Sequence, residues 1–173
     1  RRCSFGGLFC AGVDWFEGRS VSYQTQTPYA PFVSLFNTLL DIPRGVDDSE
    51  RYAAVVSGLR ALNPVAGEGL APYVGSLLGV DLPQEASTVV RFLEPPELRD
   101  RVFNTVSQLV SEMALKKPTV LVFEDLHWAD PTSVDLVESL MPLTDTTMLM
   151  LMAAFRPNRQ DPSWKFHEVG EPD

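Results

Sequence analysis

The stretch Val120-Leu121-Val122-Phe123-Glu124-Asp125-Leu126-His127-Trp128-Ala129-Asp130-Pro131 decides the fold. With Thr119 it begins as a continuous β-branched and apolar run. The run has no polar alternation, which predicts a strand buried on both faces, as at the centre of a parallel sheet. Asp130-Pro131 predicts a helix start, with aspartate as the cap and proline at the first helical position. That helix carries Val134, Leu136, Val137 and Leu140 inward. Glu124 and Asp125 therefore sit where a buried strand leaves the sheet. In open α/β sheets ligands bind beyond the carboxyl ends of the strands. A magnesium ion keeps most of its waters and takes one or two carboxylates plus phosphate oxygens. A second carboxylate beside it can orient or deprotonate an attacking water. Strands ending in two acids also occur in many α/β proteins as plain solvated loops, so the dipeptide alone leaves both readings open.

Upstream, Leu98, Val102, Phe103, Val106, Leu109, Val110 and Met113 form one apolar face at helical spacing. Pro95-Pro96-Glu97 suits the start of that helix. Lys116 and Lys117 lie at its negative end, and Pro118 stops it. Downstream, Thr144-Asp145-Thr146 is followed by a second apolar run, Met148 to Phe155, read as another buried strand ending at Arg156-Pro157. Helix, strand, helix, strand predicts right-handed crossovers and a parallel sheet covered by helices.

The first half is less regular. Val13 to Tyr23 reads as a short strand with a polar tail. Pro28-Tyr29-Ala30-Pro31-Phe32 opens a helix carrying Phe32, Val33, Leu35, Phe36, Leu39 and Leu40, closed by Ile42-Pro43-Arg44-Gly45. A second helix is expected over Ser49 to Leu62, stopped by Asn63-Pro64, and a short third over Pro72 to Leu78. Gly79 to Pro96, rich in proline and acids, reads mostly as loop. Trp15, Tyr29, Phe32 and Trp164 are expected to pack, and His167 lies in a polar tail.

The chain has 173 residues, enough for a sizeable core, and 14 basic against 23 acidic side chains give a net charge of −9. An acidic chain of this kind lacks the electrostatic footprint for nucleic acid or an anionic membrane surface. The spacing of Cys3 and Cys10 fits no common zinc or redox motif, and they read as free thiols. The longest strongly apolar run is too short to span a bilayer. Arg1-Arg2 and the glycine-broken stretch after them match a secretory leader poorly. The chain opens without methionine, as expected of a piece of something longer.

Glu124-Asp125-Leu126-His127-Trp128-Ala129-Asp130-Pro131 resembles the extended Walker B motif of STAND-type AAA+ ATPases, the modules that accompany class III adenylate cyclase or LuxR-type DNA-binding domains. Trp15-Phe16-Glu17-Gly18-Arg19-Ser20-Val21-Ser22-Tyr23, with Pro28 to Phe32, is similar to the strand and helix that follow the P-loop helix in the cyclase-associated branch. Phe155-Arg156-Pro157 looks like the family's sensor 1 strand end. The resemblance implies an α/β fold: a partial P-loop NTPase of AAA+ type, its parallel sheet flanked by helices. Its extent would be residues 15–165, between a divergent segment 1–14 and a polar tail 166–173.

By the same resemblance Glu124 takes the magnesium-side position, where the family's usual residue is aspartate. Asp125 serves as catalytic base and second metal-side group, and Arg156 reads the γ-phosphate as a planar, multi-donor cation. The implied cofactors are ATP and Mg2+, expected only in the complete domain. The family's Walker A loop, Gly-x-x-x-x-Gly-Lys-Ser/Thr, has no match before Trp15, and the sequence contains no Gly-Lys pair. That loop makes most of the phosphate contacts, so tight ATP binding by this chain alone is not expected. In the family's fold the P-loop strand lies beside the sensor 1 strand. Without it, Met148 to Phe155 is expected to form an exposed apolar edge inviting self-association.

Two functions follow as expectations. One is the ATP-dependent switch of a cytoplasmic multidomain signalling regulator, whose partners are a cyclase or DNA-binding output domain of the same parent chain. The other is a non-catalytic scaffold that has lost nucleotide binding. Direct nucleic-acid binding is disfavoured by the charge. Asp130 is expected to cap a helix rather than bind a ligand, and Trp128 to pack against the helix that follows it.

Overall fold

The computed structural model describes residues 12–22 and 27–166. Cys3, Cys10, Tyr23 and His167, on which readings above bear, lie outside the described residues. The described chain forms a parallel sheet of three strands with helices. In order these are β1 (Asp14–Arg19), α1 (Ala30–Leu39), α2 (Asp48–Leu62), α3 (Gly67–Leu77), α4 (Gln84–Arg91), α5 (Pro95–Lys116), β2 (Thr119–Glu124), α6 (Pro131–Leu140) and β3 (Leu149–Ala153). The sheet runs β1-β2-β3 with both pairings parallel, as the alternation of helices and strands requires. The chain divides into two compact units, one from the residues up to Leu35 with those from Met113 onward, the other Phe36–Glu112.

The first unit holds the sheet. β2 is its centre: Thr119 through Phe123 are all buried, because a central strand is flanked on both edges. Register places Gly18 beside Phe123 and Arg19 beside Glu124. The Phe123 ring meets Phe32 of α1 at a centroid separation of 5.0 Å. Gly18 lets the chain approach, since a Cβ there would lie 2.6 Å from the carbonyl oxygen of Pro31. Asp14 and Lys117 pair at 2.5 Å at the far end of the sheet.

β3 departs from the reading of Met148 to Phe155 as a buried strand. Leu149 is buried, but Met148, Met150 and Met152 are 49%, 55% and 41% exposed. An unbroken apolar run does not say whether a strand is central or at an edge. β3 has one neighbour among the described residues, and its methionines share a sheet face with Trp15, Val120 and Val122. That matches the exposed edge expected from the family resemblance.

The second unit is helical. Asp47 caps α2 by accepting from the Glu50 N–H at 2.9 Å. Asn63 closes α2: its side-chain oxygen accepts from Val65 and Ala66, and its amide donates to Glu112 of α5 at 2.8 Å. Val55, Leu59, Ala71, Val74 and Leu77 fill the core. Two readings are corrected here. α3 begins at Gly67 rather than Pro72, which lies inside it. Gly67 is tolerated because it sits against the Leu59 carbonyl, 2.3 Å from where a Cβ would be. Within the presumed loop, Gln84–Arg91 is helical, its Ser87 and Thr88 hydroxyls donating to the Gln84 carbonyl and Ala86 turned inward. Among the described residues no helix is long and apolar enough to cross a membrane.

Candidate functional site

The carboxyl ends of β1 and β2 lie level, and three charged side chains meet there. Glu124 is the last residue of β2, with its side chain 45% exposed. Asp125 follows in the left-handed region, φ 54° and ψ 35°. Aspartate tolerates that conformation better than most residues, and its use here turns the chain sharply off the strand. Two backbone bonds hold the turn. Leu126 donates to the Ala154 carbonyl at 2.9 Å, and Trp128 donates to the Asp125 carbonyl at 2.9 Å. Ala154 in turn donates to the Phe123 carbonyl at 2.8 Å, so the ends of β2 and β3 are locked together. The acidic pair thus stands on rigid backbone while both carboxylates reach solvent.

Arg19 closes the group. Its Nε and Nη2 donate to Asp125 Oδ2 at 3.4 and 3.3 Å, and Nε stands 3.9 Å from Glu124 Oε2. The Arg19 backbone N–H is held by Ser34 Oγ at 3.1 Å, which fixes the strand end against α1. Two carboxylates against one guanidinium leave the cluster net negative. At 65% exposure the Arg19 ion pairs are screened, and contacts of this kind contribute little to stability, so an incoming cation can displace them. Sequence reading passed over Arg19. Its role depends on β1 pairing with β2 in the register Arg19–Glu124, and only that register brings the guanidinium to the acids.

Asp130 is the predicted cap. It is 6% exposed, and it accepts from the Ser133 N–H at 3.1 Å and from the Ser133 hydroxyl. It also accepts from the Tyr29 N–H at 3.2 Å, which ties the start of α1 to the start of α6. Tyr29 has φ 62°, an uncommon conformation for a bulky side chain, and the bond to Asp130 helps hold it there.

Trp128 is 36% exposed, and its ring centroid stands 4.8 Å from that of His127. Among the described residues, both His127 ring nitrogens and the Ser20 hydroxyl beside the end of β1 are buried without a hydrogen-bond partner. Arg156 is exposed three positions beyond β3, and among the described residues it forms no ion pair with Glu124 or Asp125.

The donor set fits a hard divalent cation that keeps its waters. Glu124 and Asp125 would offer it hard carboxylate oxygens, both partly open to solvent, beside phosphate and water oxygens. Among the described residues no cluster of three or more His, Cys, Asp or Glu side chains forms a closed metal cage.

The family model described as AAA ATPase domain matches residues 8–152 of this chain. An uncharacterized protein of Rhizobium meliloti (strain 1021) is 25% identical over 132 residues, which cover 73% of this chain and 12% of that protein. The chain therefore corresponds to a small part of the length of that relative. No solved structure matches it.

Proposed function

The chain belongs to the AAA ATPase domain family, and on that premise we propose that it is the metal-binding and hydrolytic part of an ATP-dependent switch in a cytoplasmic multidomain signalling regulator. The observation that carries the reading is the pair Glu124–Asp125, rigidly held at the carboxyl end of the central parallel strand and partly open to solvent. Bound Mg2+ would supply positive charge to the terminal phosphates of the nucleotide. Glu124 would help hold the ion, its extra methylene compared with aspartate lengthening the reach. Asp125 orients the attacking water and takes its proton. Arg156, just past β3, donates to the γ-phosphate. Arg19 keeps the two carboxylates from repelling each other when no cation is bound. The output is an adenylate cyclase or a LuxR-type DNA-binding domain of the parent chain. The Trp15–Tyr23 and Pro28–Phe32 similarity favours the cyclase.

One observation favours a second reading, a scaffold without nucleotide chemistry: the sequence contains no Gly-Lys pair, so the usual phosphate-cradling loop is not within these residues. Calorimetric titration with Mg-ATP separates the two, on this chain and on the parent protein. The switch reading expects binding by the parent protein, weakened about tenfold or more by Glu124→Ala with Asp125→Ala. Heat-silent titration of the parent protein, or affinity unchanged in that double variant, would establish the scaffold.

A further inference from the structure

We infer that Arg19 reads the terminal phosphate of the nucleotide, as a second phosphate-binding cation beside Arg156. The inference rests on the reading of Glu124 and Asp125 as the metal side of a nucleotide site. It begins with a contrast between backbone and side chain. The Arg19 N–H donates to Ser34 Oγ at 3.1 Å, and register sets the residue beside Glu124. Ser20, next in the chain, donates to the Glu124 carbonyl at 3.1 Å. The strand end is therefore fixed, while the Arg19 side chain is 65% exposed.

The guanidinium is poorly matched to the group it touches. Arginine's planar fork suits two parallel N–H···O bonds, one to each oxygen of a carboxylate or phosphate. Here Nε and Nη2 converge on one oxygen, Asp125 Oδ2, at 3.4 and 3.3 Å. Both are longer than an ordinary N–H···O bond. Glu124 Oε2, 3.9 Å from Nε, lies outside hydrogen-bond range. A well-placed backbone thus carries a cation whose donors are largely unspent at the carboxyl ends of two parallel strands, where ligands of such sheets bind.

Reach and charge supply the rest. Oxygens bound to one magnesium ion at about 2.1 Å lie within roughly 4 Å of each other. A phosphate oxygen that shared an ion with Glu124 or Asp125 would come as near to those carboxylates as Arg19 already stands. The ion would offset the negative charge that attracts the guanidinium, and the phosphate would bring more negative charge within its reach. Phosphate oxygens accept the fork side by side. A divalent cation without phosphate meets only repulsion from Arg19, so the residue favours a metal–triphosphate over the metal alone.

Two titrations with effects of opposite sign test the inference. In calorimetry on the parent protein, Arg19→Gln should weaken Mg-ATP binding about tenfold or more and change Mg-ADP binding by less than about twofold. In Mn2+ titration of this chain, followed by electron paramagnetic resonance, the same substitution should tighten binding about threefold. Arg19→Lys keeps the charge without the fork, so it should hold Mn2+ affinity unchanged and recover only part of the ATP loss. Mg-ATP affinity unchanged by Arg19→Gln would overturn the inference and leave the metal site standing. Weakening of Mg-ATP and Mn2+ together would also overturn it, making Arg19 a structural support. Absence of Mn2+ binding by the unaltered chain, with no Mg-ATP binding by the parent protein, would remove the metal-site reading and this inference with it.

Discussion

Replacing Phe123 with alanine is expected to destabilise the sheet-bearing unit by about 3–5 kcal/mol. The ring is fully buried, at the centre of the sheet. Its surroundings cannot easily collapse into the space it leaves. On one side lies the Phe32 ring, tilted 48° to it. On another, the chain at Gly18 already touches: a Cβ there would come within 3.1 Å of Phe123 Cδ1 and 2.6 Å of the Pro31 oxygen. Both the lost burial and the residual cavity therefore count. The backbone bond from Ala154 to the Phe123 carbonyl does not depend on the side chain, so the acidic pair keeps its support in whatever fraction remains folded. Urea titration followed by far-UV circular dichroism gives the change. A loss below about 1 kcal/mol would show that the core around β2 repacks freely, contrary to this account.

Asp130→Ala is expected to cost about 3 kcal/mol, although Asp130 lies in the motif that elsewhere marks chemistry. Its carboxylate caps α6 through Ser133 and also holds the Tyr29 N–H at the head of α1. Losing a cap costs about 1–2 kcal/mol. Removing the acceptor of the Tyr29 N–H, on a tyrosine already at positive φ, adds roughly 1–3 kcal/mol. Asp130→Asn keeps an acceptor oxygen and should recover more than half of the loss. That rescue separates a structural role from a metal-binding one. Equal loss in both variants would mean that the negative charge itself is needed, and would reopen Asp130 as a ligand.

Much of this was legible because it is written in local chemistry. The unbroken run Thr119–Phe123 read as the central strand, and Asp130-Pro131 as a capped helix start; both are so. The features that were missed depend on partners distant in sequence. β3 reads as apolar whether it lies at the centre or the edge, and only the strand order exposes its methionines. α4 hides in a proline- and acid-rich segment whose composition resembles loop, and α3 hides behind glycines and Pro72 that argue against a helix locally. Glu124 and Asp125 were visible from the strand they follow. Arg19, 106 residues from the Asp125 it contacts, becomes visible only once two parallel strands are set in register.

The central claim is that Glu124 and Asp125 form a divalent-cation site, and paramagnetic broadening of backbone amides by Mn2+ tests it most directly on this chain. At low Mn2+ the amides of Glu124, Asp125 and Leu126 should broaden first, with Arg19 and Ser20 at the adjacent strand end. Excess Mg2+ should reverse the effect, and Glu124→Ala with Asp125→Ala should abolish it. Broadening that begins instead at other exposed carboxylates, such as Asp47, Asp48 and Glu50, with the end of β2 untouched, would contradict the account.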